Sequence, residues 1–157
     1  MAVRSSSRLE DDLDQLADCD WIVEVVVENL EIKRRLFQRI ETVRRPGTLV
    51  SSNTSGIPLS AMSEGLSDEF RQHFLGTHFF NPPRHMKLLE IIPGKTTDKE
   101  LLSFMADFCE RRLGKSVVFA KDTPNFVGNR IGVQGMVKSM QLMLEEIPEL
   151  LEETRTA

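Results

Sequence analysis

The chain has 157 residues, of which 40% are apolar and 28% are charged, so it fits one globular domain and not a disordered or fibrous protein. Its 20 Lys and Arg against 24 Asp and Glu give a net charge of −4, which excludes a dedicated nucleic-acid binder, because phosphate neutralisation needs a basic surface. Without an apolar run of roughly 20 residues, or a signal-peptide segment in residues 1–8, we expect a cytoplasmic protein and no membrane span.

The N-terminal residues predict a helix followed by a strand. Leu9, Leu13 and Leu16 recur at the spacing of one face of a short amphipathic helix within residues 1–19. Residues 21–27, with the sequence WIVEVVV, are almost continuously apolar and β-branched. This pattern is typical of a strand covered on both faces in a parallel sheet, so we expect the first core strand here.

A helix and a second strand follow. Asn29 is suited to cap the helix, which we expect to end at Pro46-Gly47. Its apolar stripe consists of Ile32, Leu36, Ile40 and Val43. Its basic residues, which we expect elsewhere on its surface, are Lys33, Arg34, Arg35 and Arg39. With a second strand at residues 48–52, strand, helix and strand within about 30 residues indicate a right-handed parallel crossover, so the fold class is α/β.

The next two strands are expected at residues 74–80 and 87–92, and the short link between them indicates an antiparallel hairpin. Each strand contains one polar candidate, His78 and Glu90. If the hairpin turns near residue 84, its register sets these two side chains opposite each other, about 5 Å apart, within reach of a His–carboxylate hydrogen bond. Spacing alone favours a structural pair at least as much as a catalytic dyad.

The remaining elements are a helix, a strand and a long final helix. Thr97 and Glu100 form a capping-box pattern for a helix that extends to Gly114. Residues 116–120 predict one more strand. Residues 123–148 predict the last helix, opened by a capping Thr followed by Pro and closed near a second Pro. The fold is therefore expected to combine a parallel βαβ unit, an antiparallel hairpin and a long C-terminal helix.

Several polar residues are candidates for ligand binding. Residues 51–55 lie at the carboxyl end of the second strand, where ligands bind in open α/β sheets, although composition alone favours a polar loop that caps the next short helix. Glu28 and Lys33 lie near the equivalent end of the first strand, although helix capping and a solvated charged face also explain them. Asn129 interrupts an apolar stretch and needs either a structural partner or a ligand.

Other residue types exclude or weaken particular sites. Cys19 and Cys109 are far apart and lack metal-ligand spacing, so we expect buried reduced thiols and no metal. No two of the nine glycines are separated by a single residue, so the chain contains no G-x-G-x-x-G dinucleotide loop. The methionines at helical spacing, which predict core or interface, are Met136, Met140 and Met143.

Five motifs carry a resemblance to a known family. In chain order they are VENL at 27–30, SNTS at 52–55, HFFNP at 78–82, KLLEII at 87–92 and DTPNFVGNR at 122–130. Together they resemble the 3-hydroxyacyl-CoA dehydrogenases of fatty-acid β-oxidation, over about residues 15–145. The resemblance is strongest to bacterial enzymes in which this module is fused to an enoyl-CoA hydratase.

The resemblance implies an oxidoreductase that uses NAD to oxidise a (3S)-3-hydroxyacyl-CoA to the 3-oxoacyl-CoA. It implies that His78 is the base and Glu90 the carboxylate that orients it. It also implies that Ser55 and Asn129 hold the reacting oxygen of the substrate and the surroundings of the histidine. The positions implied to contact the nicotinamide half of NAD are Glu28, Lys33, Ser55 and Asn81.

In that family, the segment that holds the adenosine half of NAD precedes residue 15, and a helical dimerisation domain follows the last helix. We therefore expect residues 1–121 to form the C-terminal half of a Rossmann-like NAD-binding domain, with a partial sheet. Residues 122–157 would then form the first helix of the helical domain. The exposed sheet edge and helix face would favour a homo-oligomer or other association. The alternatives are a truncated, non-catalytic binding or assembly module of the same family and a related dehydrogenase for another hydroxy substrate.

Overall fold

The computed structural model describes residues 13–153, which form a five-stranded sheet with helices. The predicted helix face at Leu9 lies outside the described residues, whereas Leu13 begins a short 3₁₀ helix. In chain order the elements are the 3₁₀ helix Leu13–Asp18, β1 Trp21–Glu24, α1 Leu30–Val43, β2 Leu49–Ser52, α2 Leu59–Met62, α3 Asp68–Gln72, β3 Phe74–Phe79, β4 Leu88–Pro93, α4 Lys99–Leu113, β5 Ser116–Phe119 and α5 Gly128–Glu153.

The sheet order is β1-β2-β3-β4-β5. Strands β1, β2 and β3 are parallel, β4 is antiparallel to β3, and β5 is parallel to β4. The predicted α/β class is therefore confirmed, with its parallel βαβ unit, its antiparallel hairpin and its long final helix. Among residues 13–153, no helix is both long and apolar enough to cross a membrane.

Two hydrophobic clusters cover the two faces of the sheet. Neighbouring residues of a strand point to opposite faces, and in the central strands they divide between the clusters: Leu49 and Val50 in β2, Phe74 and Leu75 in β3, Ile91 and Ile92 in β4. Helix α1 contributes Leu36, Phe37 and Ile40 to one cluster, and α4 contributes Met105 and Cys109 to the other. The core therefore consists of two helical layers around one sheet.

The first strand is shorter and less covered than predicted. Strand β1 ends at Glu24, and the side chains of Val25 and Val27 are 71% and 64% exposed. The prediction of a covered strand over residues 21–27 is wrong because β1 pairs only with β2 among the described strands and the chain turns after Glu24. The Glu24 carboxylate accepts a hydrogen bond from the Val26 amide at 2.6 Å, which stabilises that turn.

Helix α1 begins as predicted but buries a charge that was expected on its surface. The Asn29 side chain accepts a hydrogen bond from the Ile32 amide at 3.1 Å and caps the helix. Ile32, assigned to the apolar stripe, is exposed instead, whereas Lys33 is buried. The surface position predicted for Lys33 is wrong because a buried carboxylate on β1 attracts its ammonium group.

Helix α4 ends as predicted and begins differently. Gly114 adopts a left-handed φ of 65°, which glycine tolerates without strain, and it terminates the helix. The N-cap is Asp98, whose carboxylate accepts a hydrogen bond from the Glu100 amide at 2.7 Å. The predicted capping role of Thr97 is wrong because its hydroxyl donates to the Phe74 carbonyl at 2.6 Å and accepts from a neighbouring amide.

Helix α5 begins at Gly128, four residues after Pro124, the predicted first helical residue, because residues 124–127 form a turn. The helix also continues through Pro148, since a proline removes only one helical hydrogen bond and need not end the helix. Within α5, every residue from 130 to 145 is exposed. The methionines of this stretch are therefore not part of the core, and their role in an interface stays a prediction.

The two cysteines have different environments. Cys109 is a free, fully buried thiol, and burial raises its pKa to about 11. Cys19 is also free but only partly buried. The expectation of buried reduced thiols therefore holds for Cys109 alone.

Candidate active site

The antiparallel hairpin brings His78 and Glu90 together. The two residues are direct cross-strand partners in the register of β3 and β4, as the symmetric hairpin predicted. His78 Nδ1 lies 2.7 Å from Glu90 Oε2, and the residues are 4% and 1% exposed. Because a carboxylate has no proton to donate, Nδ1–H is the donor and Nε2 is left as an acceptor on neutral histidine.

The second oxygen of Glu90 binds the segment that leads into α5. Glu90 Oε1 accepts hydrogen bonds from the amides of Val127 at 2.9 Å and Gly128 at 2.8 Å. One oxygen therefore serves the histidine and the other serves the backbone. Three donors hold the buried carboxylate, which satisfies a charge that would otherwise be costly to bury.

Aromatic rings enclose the His78 imidazole. The ring of Phe80 lies 4.5 Å from it between centroids, and the ring of Phe126 lies 5.6 Å away. Phe126 is buried and belongs to the main hydrophobic cluster. The imidazole therefore has apolar neighbours on its sides and a carboxylate at Nδ1, an arrangement suited to a base that is held in one orientation.

A second buried ion pair lies at the carboxyl end of β1. Lys33 Nζ is 2.8 Å and 2.9 Å from the two oxygens of Glu24, and the Ser52 hydroxyl donates to Glu24 Oε2 at 2.6 Å. Both charged side chains are buried. Lys33 Nζ also lies 3.3 Å from Glu28 Oε2, so the ammonium group connects the buried carboxylate with a more exposed one.

Glu28 connects the end of β1 with the loop after β2. Its Oε1 accepts hydrogen bonds from the Thr54 hydroxyl, the Ser55 amide at 3.0 Å and the Gly56 amide at 3.2 Å. Partial burial alone would raise the pKa of Glu28, but the Thr54 hydroxyl, the Lys33 charge and the Ser55 amide together lower it below its usual value. The side chain remains 44% exposed, so this ionised group faces solvent at the sheet edge.

The other candidate residues are close in the chain to these groups but less tightly held. Ser55 is exposed, and within residues 13–153 its hydroxyl makes no hydrogen bond. Asn81 is exposed and follows β3, and Asn129 is half-buried in the first turn of α5. No hydrogen bond between described residues joins the Asn81 or Asn129 side chain to the histidine pair or to Glu28.

Sequence reasoning missed two residues that organise this region. Glu24 is the single charged residue in the apolar segment WIVEVVV, and this isolation was a signal that it has a buried partner. Asp122 accepts hydrogen bonds from the amides of Leu59 and Ser60 at the start of α2. No local pattern indicates that contact, since the partners lie more than 60 residues apart in the chain.

Comparisons with known proteins bear on what this arrangement does. Residues 2–123 match the model of the family described as 3-hydroxyacyl-CoA dehydrogenase, NAD binding domain. The chain is 58% identical over 137 residues to a probable 3-hydroxyacyl-CoA dehydrogenase of Bacillus subtilis, covering 87% of this chain and 17% of the relative. It is 48% identical over 135 residues to a probable 3-hydroxyacyl-CoA dehydrogenase of Deinococcus radiodurans, covering 86% of this chain and 39% of the relative.

Solved structures share the fold. A crystal structure of M. tuberculosis FadB2 matches with a TM-score of 0.79 and 30% identity, over 87% of this chain and 47% of that one. A crystal structure of 3-hydroxybutyryl-CoA dehydrogenase from Escherichia coli matches with a TM-score of 0.76 and 34% identity, over 86% and 28%. The chain thus spans less than half the length of each of these relatives.

Proposed function

This chain belongs to the 3-hydroxyacyl-CoA dehydrogenase family, and we propose that it takes part in the NAD-dependent oxidation of a (3S)-3-hydroxyacyl-CoA to the 3-oxoacyl-CoA. The observation that carries the proposal is the buried His78–Glu90 pair, in which the 2.7 Å contact at Nδ1 leaves Nε2 as an acceptor. Removal of a hydroxyl proton needs a base of this kind, held in one tautomer and one orientation.

In the proposed reaction, His78 Nε2 takes the proton of the substrate 3-hydroxyl group. The O–H electron pair then forms the carbonyl bond as the hydrogen on C3 leaves as a hydride. NAD, when bound, supplies the nicotinamide ring that accepts this hydride. Glu90 stabilises the imidazolium that forms, because its buried carboxylate lies 2.7 Å from Nδ1 and is itself fixed by two amides.

We propose that Glu28, Ser55 and Asn81 contact the nicotinamide half of NAD, and that Lys33, which is buried with its ammonium 3.3 Å from Glu28 Oε2, contributes to this site by holding Glu28. Supporting this role, Glu28 is ionised and exposed at the carboxyl edge of the parallel strands, where α/β folds bind nucleotides. The Ser55 hydroxyl and the Asn81 amide are exposed polar groups that suit an amide or a ribose as partner. The chain contains no G-x-G-x-x-G loop, so these residues fit only that half of the cofactor.

We further propose that Ser55 and Asn129 hold the reacting oxygen of the substrate beside His78. Ser55 follows β2, whose neighbour β3 carries the histidine. Asn129 comes directly after Gly128, whose amide binds Glu90. Asn129 therefore follows a residue that contacts the proposed dyad, and Ser55 lies in the loop after the strand next to the one that carries His78.

A second candidate function is that of a non-catalytic binding module that docks through α5, as a homo-oligomer or on another chain. The exposed apolar side chains of α5 favour it, including Met136, Met140 and Met143 at 65%, 59% and 57% exposure. In both proposals residues 1–121 belong to the NAD-binding unit, and the chain from residue 122 onward begins a separate helical unit.

The test is an absorbance assay for reduced nicotinamide, with purified chain, NAD and (3S)-3-hydroxybutyryl-CoA. We expect turnover that His78→Gln abolishes, with His85→Gln as the matched control, because His85 is an exposed histidine in the loop of the same hairpin. A calorimetric titration with NAD accompanies it, with Glu28→Gln expected to weaken binding. A folded chain that binds no NAD and shows no turnover would contradict the enzyme and favour the docking module.

A further inference from the structure

The segment before α5 is fastened at both of its ends to the region described above. We call residues 122–128 the entry turn. At its start the Asp122 carboxylate accepts hydrogen bonds from the amides of Leu59 at 2.8 Å and Ser60 at 3.1 Å. These are the first amides of α2, whose own N-cap residue, Pro58, has no side chain able to cap them. Asp122 therefore anchors the entry turn to the segment that follows the Ser55 loop.

At its other end the entry turn supplies both backbone donors of Glu90. The Val127 and Gly128 amides bind Glu90 Oε1, while Oε2 serves His78. Only four residues lie between Asp122 and Val127. A short stretch of chain therefore connects the start of α2 with the carboxylate that orients the histidine.

The backbone of the entry turn is strained in a way that serves this connection. Asn125 and Phe126 have φ values of 62° and 42°, in the left-handed region that non-glycine residues seldom adopt. This conformation buries Phe126 to 2% exposure, with its ring 5.6 Å from the His78 ring. Strain of this kind persists where the surrounding contacts over-determine it, and it is concentrated at functional sites.

Gly128, at the end of the entry turn, packs against Phe80, a second aromatic neighbour of the histidine. A Cβ added at Gly128 would lie 2.5 Å from Cζ of Phe80, a distance that forces the ring to move. The Phe80 ring lies 4.5 Å from the His78 ring. The absence of a side chain at Gly128 therefore lets Phe80 pack against both the helix and the imidazole.

We infer that the entry turn is a positioning device for the proposed base, with Asp122 as its anchoring residue and Gly128 as its packing residue. It acts on His78 through Glu90, Phe80 and Phe126, which makes Asp122 and Gly128 positioning residues. If the anchor is lost, Glu90 Oε1 loses two fixed donors, its carboxylate is free to rotate, and His78 is no longer held in the Nδ1-protonated form. The inference rests on the proposed function for its catalytic meaning but not for its structural test.

The structural test is the tautomer of His78, read from imidazole nitrogen and proton NMR signals of the nitrogen-15-labelled full chain. We expect the unsubstituted chain to show one Nδ1-protonated form with an exchange-protected Nδ1 proton. Asp122→Ala should lose the protected proton and show both tautomers. Asp98→Ala is the matched control, because Asp98 also caps a helix N-terminus, that of α4.

Asp122→Ala also removes the cap of α2, so a second pair of variants tests the entry turn without changing that cap. Gly128→Ala should also lose the protected proton, because the new methyl group displaces Phe80. Adding Phe80→Leu removes the ring atoms that collide and should restore the single tautomer. If Asp122→Ala and Gly128→Ala both keep the tautomer of the unsubstituted chain, or if Asp98→Ala disturbs it equally, the inference is overturned.

Kinetics separate this inference from the proposed function. With (3S)-3-hydroxybutyryl-CoA and NAD, Asp122→Ala should lower kcat by about 10- to 100-fold and change KM for NAD by less than about twofold, since it misplaces the base. A merely structural role would instead lower the amount of folded chain and leave kcat per folded molecule unchanged. Absence of turnover in the unsubstituted chain would contradict the proposed function, while the NMR result still decides the role of the entry turn.

Discussion

Two buried acid–base pairs in this molecule differ in whether they leave a hydrogen-bonding atom without a partner among the described residues. In the Glu24–Lys33 pair, the ammonium lies near both oxygens of Glu24, the Val26 carbonyl and Glu28, which accounts for all three of its protons. In the His78–Glu90 pair the carboxylate is also saturated, but the imidazole keeps Nε2. Burial and ion pairing are therefore common to both pairs, and the unused acceptor atom on a fixed side chain is the feature on which the proposal of a base at His78 depends.

The largest expected effect tests that unused atom. His78→Gln removes the base and should lower turnover by about 100- to 10,000-fold, the range that a general base contributes. The urea unfolding midpoint should change little in comparison. A variant that keeps more than a tenth of the rate would contradict the assignment of His78 as the base.

The next effect tests the saturated pair. Lys33→Met leaves Glu24 buried without its cation, and we expect it to lower the free energy of unfolding by about 3–5 kcal/mol, the usual cost of removing one partner of a buried pair. The double variant Lys33→Met, Glu24→Leu should recover part of this loss, since no lone charge remains. Urea titrations measure both, with the exposed pair Asp20–Arg45 as control, where Asp20→Ala should leave the free energy of unfolding nearly unchanged.

Equal losses in the single and double Lys33 variants would show that the charge of Glu24 needs no partner. The contrast between the saturated Glu24–Lys33 pair and the proposed catalytic pair would then be lost, because Glu24 would behave like an ordinary polar residue.

Glu90→Gln sharpens the comparison within the dyad itself. The new amide must turn its oxygen to the Val127 and Gly128 donors, so its NH₂ group faces His78 and requires an acceptor at Nδ1. The proton then lies on Nε2, where it blocks the base. We expect a rate lower by about 100-fold, within the range of general-base effects, and an Nε2-protonated His78 in NMR spectra. Retention of the Nδ1 proton would refute this account.

The smallest expected effect is on the pH dependence of stability, and it concerns Glu28, the more exposed carboxylate next to the Glu24–Lys33 pair. The pKa of Glu28 is lowered in the folded chain, so its contribution to stability is present above the usual carboxyl pKa and is lost as the pH falls through the lowered value. Glu28→Gln should therefore reduce the acid dependence of the free energy of unfolding. Glu69, whose pKa is also lowered, keeps its own contribution in that variant. An unchanged acid dependence would contradict the hydrogen bonds assigned to Glu28.

The agreement between sequence and structure is best where neighbours in the chain decide the outcome. The Asn29 cap, the stop at Gly114 and the hairpin register that pairs His78 with Glu90 were all predicted. Each depends on a local cap or turn, or on the symmetry of a short hairpin. The roles of the site residues came from family resemblance and remain predictions.

The sequence predictions differ from the structure where a polar group has more than one possible hydrogen-bond partner. Thr97 resembles a cap in sequence, but the Phe74 carbonyl takes its hydroxyl and leaves the cap to Asp98. Thr123 and Pro124 resemble a helix start, but the following turn is held by Glu90, so the helix begins later. Local sequence patterns indicate which hydrogen bonds a residue is able to form, and partners that are distant in the chain determine which of them it forms.

By itself, the sequence determined the α/β class, the order of the five strands and the pairing of the proposed base with its carboxylate, because periodicity, caps and hairpin symmetry act over short stretches of chain. Only the tertiary structure decided that Lys33 is buried, that Asp122 caps α2 and that Glu90 is shared between His78 and two amides 37 and 38 residues away. These contacts form only after the sheet brings distant segments together, since a buried charge takes whichever donors the completed fold places within reach.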